Sequence, residues 1–93
     1  MLQADTRYRR TPGIVQRELD GSVFLVDAQS QTVFYLNELG SAIWQMVAEP
    51  VTEEDVIETV HQAFPDVSRQ QVTEDVSGIL REMLSRSLIV SAT

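Results

Sequence analysis

Apolar residues alternate or run together in the first third of the chain and then change period. Gly13 to Leu19 reads as a first strand and Ser22 to Asp27 as a second, mostly apolar and buried on both faces. Asp20-Gly21 between them is a hairpin turn, because both residues tolerate positive φ. Ala28 to Gln31 is a polar connector, and Thr32 to Leu36 is a β-branched and aromatic third strand. At Asn37 the period switches from two to 3.6 with no intervening loop: Leu39, Ile43 and Met46 or Val47 follow at helical spacing. Asn37 is therefore first a helix cap.

Three helices follow. The first spans Glu38 to Ala48 and stops before Pro50. The second has Thr52 as its cap, Asp55 at the capping-box position and a Val51–Val56 staple, and it ends at Pro65. It presents Val56, Ile57, Val60, Ala63 and Phe64 on one face. The third repeats this arrangement with Ser68, Gln71 and Val67–Val72, and runs to about Ser85. Its apolar stripe is Val72, Val76, Ile79, Leu80, Met83 and Leu84. Leu88-Ile89-Val90 is a short closing apolar segment.

The order predicts an α+β fold: a three-stranded antiparallel sheet, three helices and a short C-terminal apolar segment. Helices two and three, joined at Pro65-Asp66-Val67, resemble a helix-turn-helix pair with the sheet as its wing, so the architecture is winged-helix-like. Residues 1–12 read as a flexible N-terminal arm, 13–90 as the single domain and 91–93 as a tail. There is no internal repeat or low-complexity tract.

Size and composition narrow the function. A chain of 93 residues with 43% apolar content builds one modest core. With no cysteine, thiol nucleophiles, disulfides and zinc–thiolate sites are excluded. The start of the chain lacks the apolar core of a signal peptide, and no apolar run is long enough for a membrane, so a cytoplasmic location is expected. The net charge is −7, and every base is an arginine. Four of them, Arg7, Arg9, Arg10 and Arg17, lie near the start, whereas the rest of the chain is strongly acidic. This balance disfavours nucleic acid and anionic lipid as partners.

Catalytic constellations are missing. His61 is the single histidine and has no second histidine at metal-ligand spacing. The serines have no base partner except that histidine, so a serine triad is not supported. Glu53-Glu54-Asp55 sits at the first turn of a helix, where acids complement the macrodipole without catalysis. The four glycines are scattered and form no phosphate loop. The expectation is a non-enzymatic protein without cofactor or metal.

The order of motifs resembles the PqqD-like family, also called RiPP recognition elements. It is carried by Tyr35-Leu36-Asn37, Gly40, Ile43-Trp44, Thr52-x-x-Asp55, Phe64-Pro65-Asp66-Val67, Val72-x-x-Asp75-Val76 and a Leu80…Leu84 stripe closing on Leu88-Ile89. The resemblance covers Arg10 to Val90. One departure is Ser87, where members often have glycine.

The resemblance implies a small winged-helix domain that binds the leader segment of a ribosomally made precursor peptide. The leader would add as an antiparallel strand in a groove between the third strand and third helix. The implied peptide-binding residues are Thr32, Val33, Phe34, Tyr35 and Leu36 on the strand. On the helix they are Val72, Asp75, Val76, Ile79 and Met83, with Asp75 at the groove margin facing a basic or hydroxyl side chain. For each apolar residue of helix three, core and groove both remain open, and Asp75 also fits a solvated helix position. The implied partners are the leader and a modifying enzyme, either a radical SAM protein or a leader peptidase. An exposed third-strand edge also invites a homodimer. The alternatives are a winged-helix DNA-binding domain and a protein–protein adaptor.

Overall fold

The computed structural model describes residues 6–92. Its elements in chain order are β1 (Arg7–Arg10), β2 (Ile14–Leu19), β3 (Ser22–Asp27), β4 (Thr32–Leu36), α1 (Glu38–Met46), β5 (Val51–Thr52), α2 (Glu53–Ala63), α3 (Arg69–Ser85) and β6 (Ile89–Ser91). They form an α+β domain with two small sheets, ordered β2-β3-β4 and β5-β1-β6.

The first sheet is the expected meander. β2 pairs antiparallel with β3, from Ile14 opposite Asp27 to Leu19 opposite Ser22. β3 pairs with β4, from Val23 opposite Leu36 to Asp27 opposite Thr32. Asp20 and Gly21 both take positive φ, 54° and 81°, as a two-residue hairpin turn of right-handed twist requires. Gln31 closes the second turn at φ 56°. Period-two alternation puts Leu25, Phe34 and Leu36 toward the body of the molecule and Val33 and Tyr35 away from it. β3 is not buried on both faces as its composition suggests: Leu25 is buried and Val23 packs beside the core on the inner face, but Phe24 and Val26, on the outer face with Val33 and Tyr35, are only half-buried.

The second sheet corrects the reading of residues 1–12 as a flexible arm. Residues 1–5 of that arm lie outside the described residues, but Arg7–Arg10 form the central strand of this sheet. Tyr8 is 4% exposed, opposite Val51 on one side and Ser91 on the other. Burial of this tyrosine, with pairing on both edges, outweighs the solvation of its three arginine neighbours. Arg10 turns inward: its Nε and Nη2 donate to the Trp44 carbonyl at 3.1 and 2.7 Å, and its guanidinium lies 4.4 Å from the centre of the indole ring. Burial pulls the Arg10 pKa below the ordinary arginine value. Part of the segment read as a tail, residues 91–93, joins this sheet as well, since Ser91 ends β6; Thr93 lies outside the described residues.

The helices start where their caps predict. Asn37 Oδ1 accepts from Gly40 N at 2.7 Å. Thr52 Oγ1 accepts from Asp55 N at 3.0 Å, while Asp55 Oδ2 accepts from Thr52 N at 3.1 Å, a complete capping box. Those bonds to the ionised form hold the Asp55 pKa below the ordinary carboxylate value. Ser68 Oγ accepts from Gln71 N at 3.1 Å, but the Gln71 side chain donates forward to Asp75 Oδ1 at 2.9 Å instead of back to the cap. α1 is shorter than the expected Glu38–Ala48, because the chain turns at Val47 to reach β5.

α3 ends in a Schellman motif. Leu88 N donates to Met83 O at 2.8 Å and Ser87 N to Leu84 O at 3.0 Å, with Ser87 at φ 59°. Serine thus occupies the left-handed position that glycine would take without steric cost. The core joins both sheets to all three helices through Tyr8, Leu25, Leu36, Ile43, Trp44, Val56, Val60, Val76, Leu80, Met83 and Ile89, among others.

Candidate functional site: an open strand edge facing a helix

β4 is an edge strand. It pairs with β3 on one side, and among the described residues its other side carries no strand. The main-chain N–H and C=O groups on that side are available to pair with another chain. The facing wall is α3, which packs chiefly on α2 and β6 rather than on β4, so a cleft lies between strand and helix.

Two hollows lie beside α3 on this side of the molecule. A small one of about 50 Å³ is lined by Phe34, Tyr35, Leu36, Asn37, Gly40 and Ile79. A larger one of about 300 Å³ is lined by Asn37, Glu38, Leu39, Val60, Phe64, Val67, Val72 and Asp75. Asn37, the cap of α1, is common to both. Gly40 keeps the junction compact, since a Cβ there would stand 3.1 Å from Asn37 Oδ1 and 3.4 Å from Leu36 Cδ2. The strand-to-helix switch without a loop therefore fixes β4 against the first turn of α1.

The sequence-derived site residues separate into distinct positions. On β4, Phe34 is half-buried and Leu36 buried on the inner face, whereas Val33 and Tyr35 are 60% and 57% exposed on the outer one. Thr32 is exposed at the far end of the strand. On α3, Ile79 faces the small hollow, and Asp75 and Val72 line the large one. Val76 and Met83 lie elsewhere: both are 0% exposed in the core, so neither forms a groove floor. Helical geometry explains the division, because Val76 and Met83 share the Leu80 side of the wheel while Asp75 and Ile79 are turned toward β4.

Residues that the sequence reading leaves out also border the cleft. Phe64, 47% exposed, and Val67 form the far wall of the large hollow. Arg86 stands over Phe34, its guanidinium carbon 5.1 Å from the ring centre. An apolar Phe and Val flanking the Pro65 turn are the one signal in the sequence that points to the former.

The cleft presents an unpaired strand edge beside apolar side chains. Among the described residues, no group of three or more His, Asp or Glu side chains is placed to hold a metal ion. Among them also, no helix is long and apolar enough to cross a membrane. The basic residues of α3 do not form a cationic face: Arg69 is engaged by Glu54 and by Glu58, the latter at 2.6 Å, and these pairs raise its pKa.

No curated protein matches the sequence. Among solved structures, the chain is similar to TbiB1 in complex with the TbiA(beta) leader peptide, at 27% identity and a TM-score of 0.74, over 87% of this chain and 93% of that one. It is also similar in fold to a lasso peptide synthetase B1 complexed with its leader peptide, at 19% identity and a TM-score of 0.76, over 89% and 96% of the two chains. Residues 22–89, from the start of β3 to the start of β6, match the model of coenzyme PQQ synthesis protein D, and the chain belongs to the PqqD family.

Proposed function

We propose that this protein is a non-catalytic peptide-binding module that captures the leader segment of a ribosomally synthesised precursor peptide and presents it to a modifying or processing enzyme. The observation that carries this reading is the open edge of β4 facing α3 across an apolar cleft. A leader adds antiparallel to β4. Main-chain hydrogen bonds supply affinity, and the two hollows select side chains. Phe34, Leu36 and Ile79 form the apolar floor, Asp75 stands at the margin, and Thr32, Val33 and Tyr35 contribute through their backbone. The relatives solved with leader peptides support this occupant.

The enzyme served is a radical SAM protein or a leader peptidase. Without peptide, the same edge pairs two copies of the chain. The acidic face of α3, with Glu74, Asp75 and Glu82, favours a peptide over DNA.

The test is a binding titration with the leader encoded by the short reading frame beside this protein. Saturable binding with a Kd of about 1 μM or tighter, roughly −8 kcal/mol, is expected. Absence of saturable binding overturns the reading.

A further inference from the structure

Two shared hollows and one contact fix how α3 lies along the groove. Asp75 shares the large hollow with Asn37, just past the end of β4. Ile79 shares the small hollow with Phe34, Tyr35 and Leu36. Arg86 stands over Phe34. As α3 advances, its groove-facing residues therefore step backward along β4. A peptide antiparallel to β4 runs in the same direction as α3, meeting Asp75 first and Arg86 last.

We propose that Arg86 is a specificity-determining residue of this groove, selecting a leader that carries an acidic side chain toward the C-terminal end of its strand-forming segment. This rests on the strand-addition reading above.

Residues 75, 79 and 82 recur at helical spacing on one face of α3, and Arg86, the C-cap that follows the helix, continues that spacing. Two of them, Asp75 and Glu82, are acids, and Arg86 is the one cation. No carboxylate engages Arg86 in an ion pair among the described residues, in contrast to Arg69, which two glutamates hold. Its guanidinium rests on the Phe34 ring, an attractive contact that positions the group without using its N–H donors. The planar fork remains free to take a carboxylate in bidentate geometry. Phe34 beneath it is half-buried, so a carboxylate arriving there is partly shielded from water.

Bulk electrostatics gives the opposite expectation. At a net charge of −7 the protein disfavours acidic ligands overall. A preference for Glu over Lys confined to one position is therefore a local signature of Arg86.

The experiment uses the full chain and synthetic copies of the adjacent-frame leader, each with one position changed to Glu or to Lys, read by fluorescence polarisation. At one position near the C-terminal end of the bound segment, Glu should bind about fivefold tighter than Lys. Arg86→Glu should reverse that preference, and Arg86→Gln should abolish it, with both variants giving a folded amide spectrum. If the unsubstituted leader binds but Arg86→Glu leaves the preference at every position unchanged, this proposal is wrong and strand addition stands. If the leader does not bind the native protein, strand addition fails and the proposal fails with it.

Discussion

The indole Nε1 of Trp44 donates to Gln16 Oε1 at 3.1 Å, linking the last turn of α1 to the inner face of β2. β2 is one edge of the meander and β4 the other. The bond therefore ties the β2 edge to the helical body, while the β4 edge stays open across the cleft. On its other side the same tryptophan receives Arg10 from β1, so one side chain joins both sheets.

Removing the acceptor should be measurable. Gln16→Ala leaves the indole N–H without its partner and should cost about 1 kcal/mol in urea unfolding. In the Trp44→Phe background the same change should cost almost nothing, since no donor remains. A double-mutant cycle with a coupling near zero would show that the bond is not a structural tie.

Two neighbours on α3 should behave in opposite ways. Leu80 is 0% exposed, and Leu80→Ala should lower stability by about 2–5 kcal/mol. Ile79 is half-buried at the cleft. Ile79→Asp should weaken leader binding by about tenfold or more, from a lost apolar contact of the order of 1.5–3 kcal/mol, with a smaller loss in Tm than Leu80→Ala. Equal losses in Tm with unchanged binding would place Ile79 in the core and not in the site.

How much of this was legible in the sequence depended on how local each signal was. The meander, the Asp20-Gly21 turn and the caps at Asn37, Thr52 and Ser68 rest on contacts within a few residues, so local chemistry specified them. β1 was not legible. Arg-Tyr-Arg-Arg has the composition of a solvated arm, and its partners, Val51–Thr52 and Ile89–Ser91, are far along the chain. The helical stripe of α3 located its apolar residues but not which side met β4. Only the packing of α3 on α2 and β6 turns Val76 and Met83 inward and leaves Ile79 at the cleft. Arg86 gave no signal at all, because its contact with Phe34 depends on where a distant strand lies.

Ser87 at φ 59° carries the steric cost of a left-handed residue with a Cβ. Ser87→Gly should raise stability by about 0.5–1 kcal/mol, less than the full relief because glycine also loosens the unfolded chain. A thermal melt with no gain in Tm would mean that the serine backbone is not strained.

Asp55 should add to the acid sensitivity of the fold. Its folded pKa is depressed by the hydrogen bonds of the capping box. The contribution is therefore fully present above the ordinary carboxylate pKa and is lost as pH falls through the lower folded value. Asp55→Ala should flatten this part of the stability–pH profile in the acid range and leave its shape near neutrality unchanged. An identical acid limb in the two proteins would contradict the assignment.

The proposed function rests on pairing of a leader peptide with β4 opposite α3. An amide NMR titration of the labelled protein with the adjacent-frame leader tests it most directly. Strand addition predicts saturable shifts concentrated at residues 32–37 and at Asp75, Ile79 and Arg86, with slowed exchange of alternate β4 amides. Saturable shifts confined to other surfaces, with β4 silent, would contradict it.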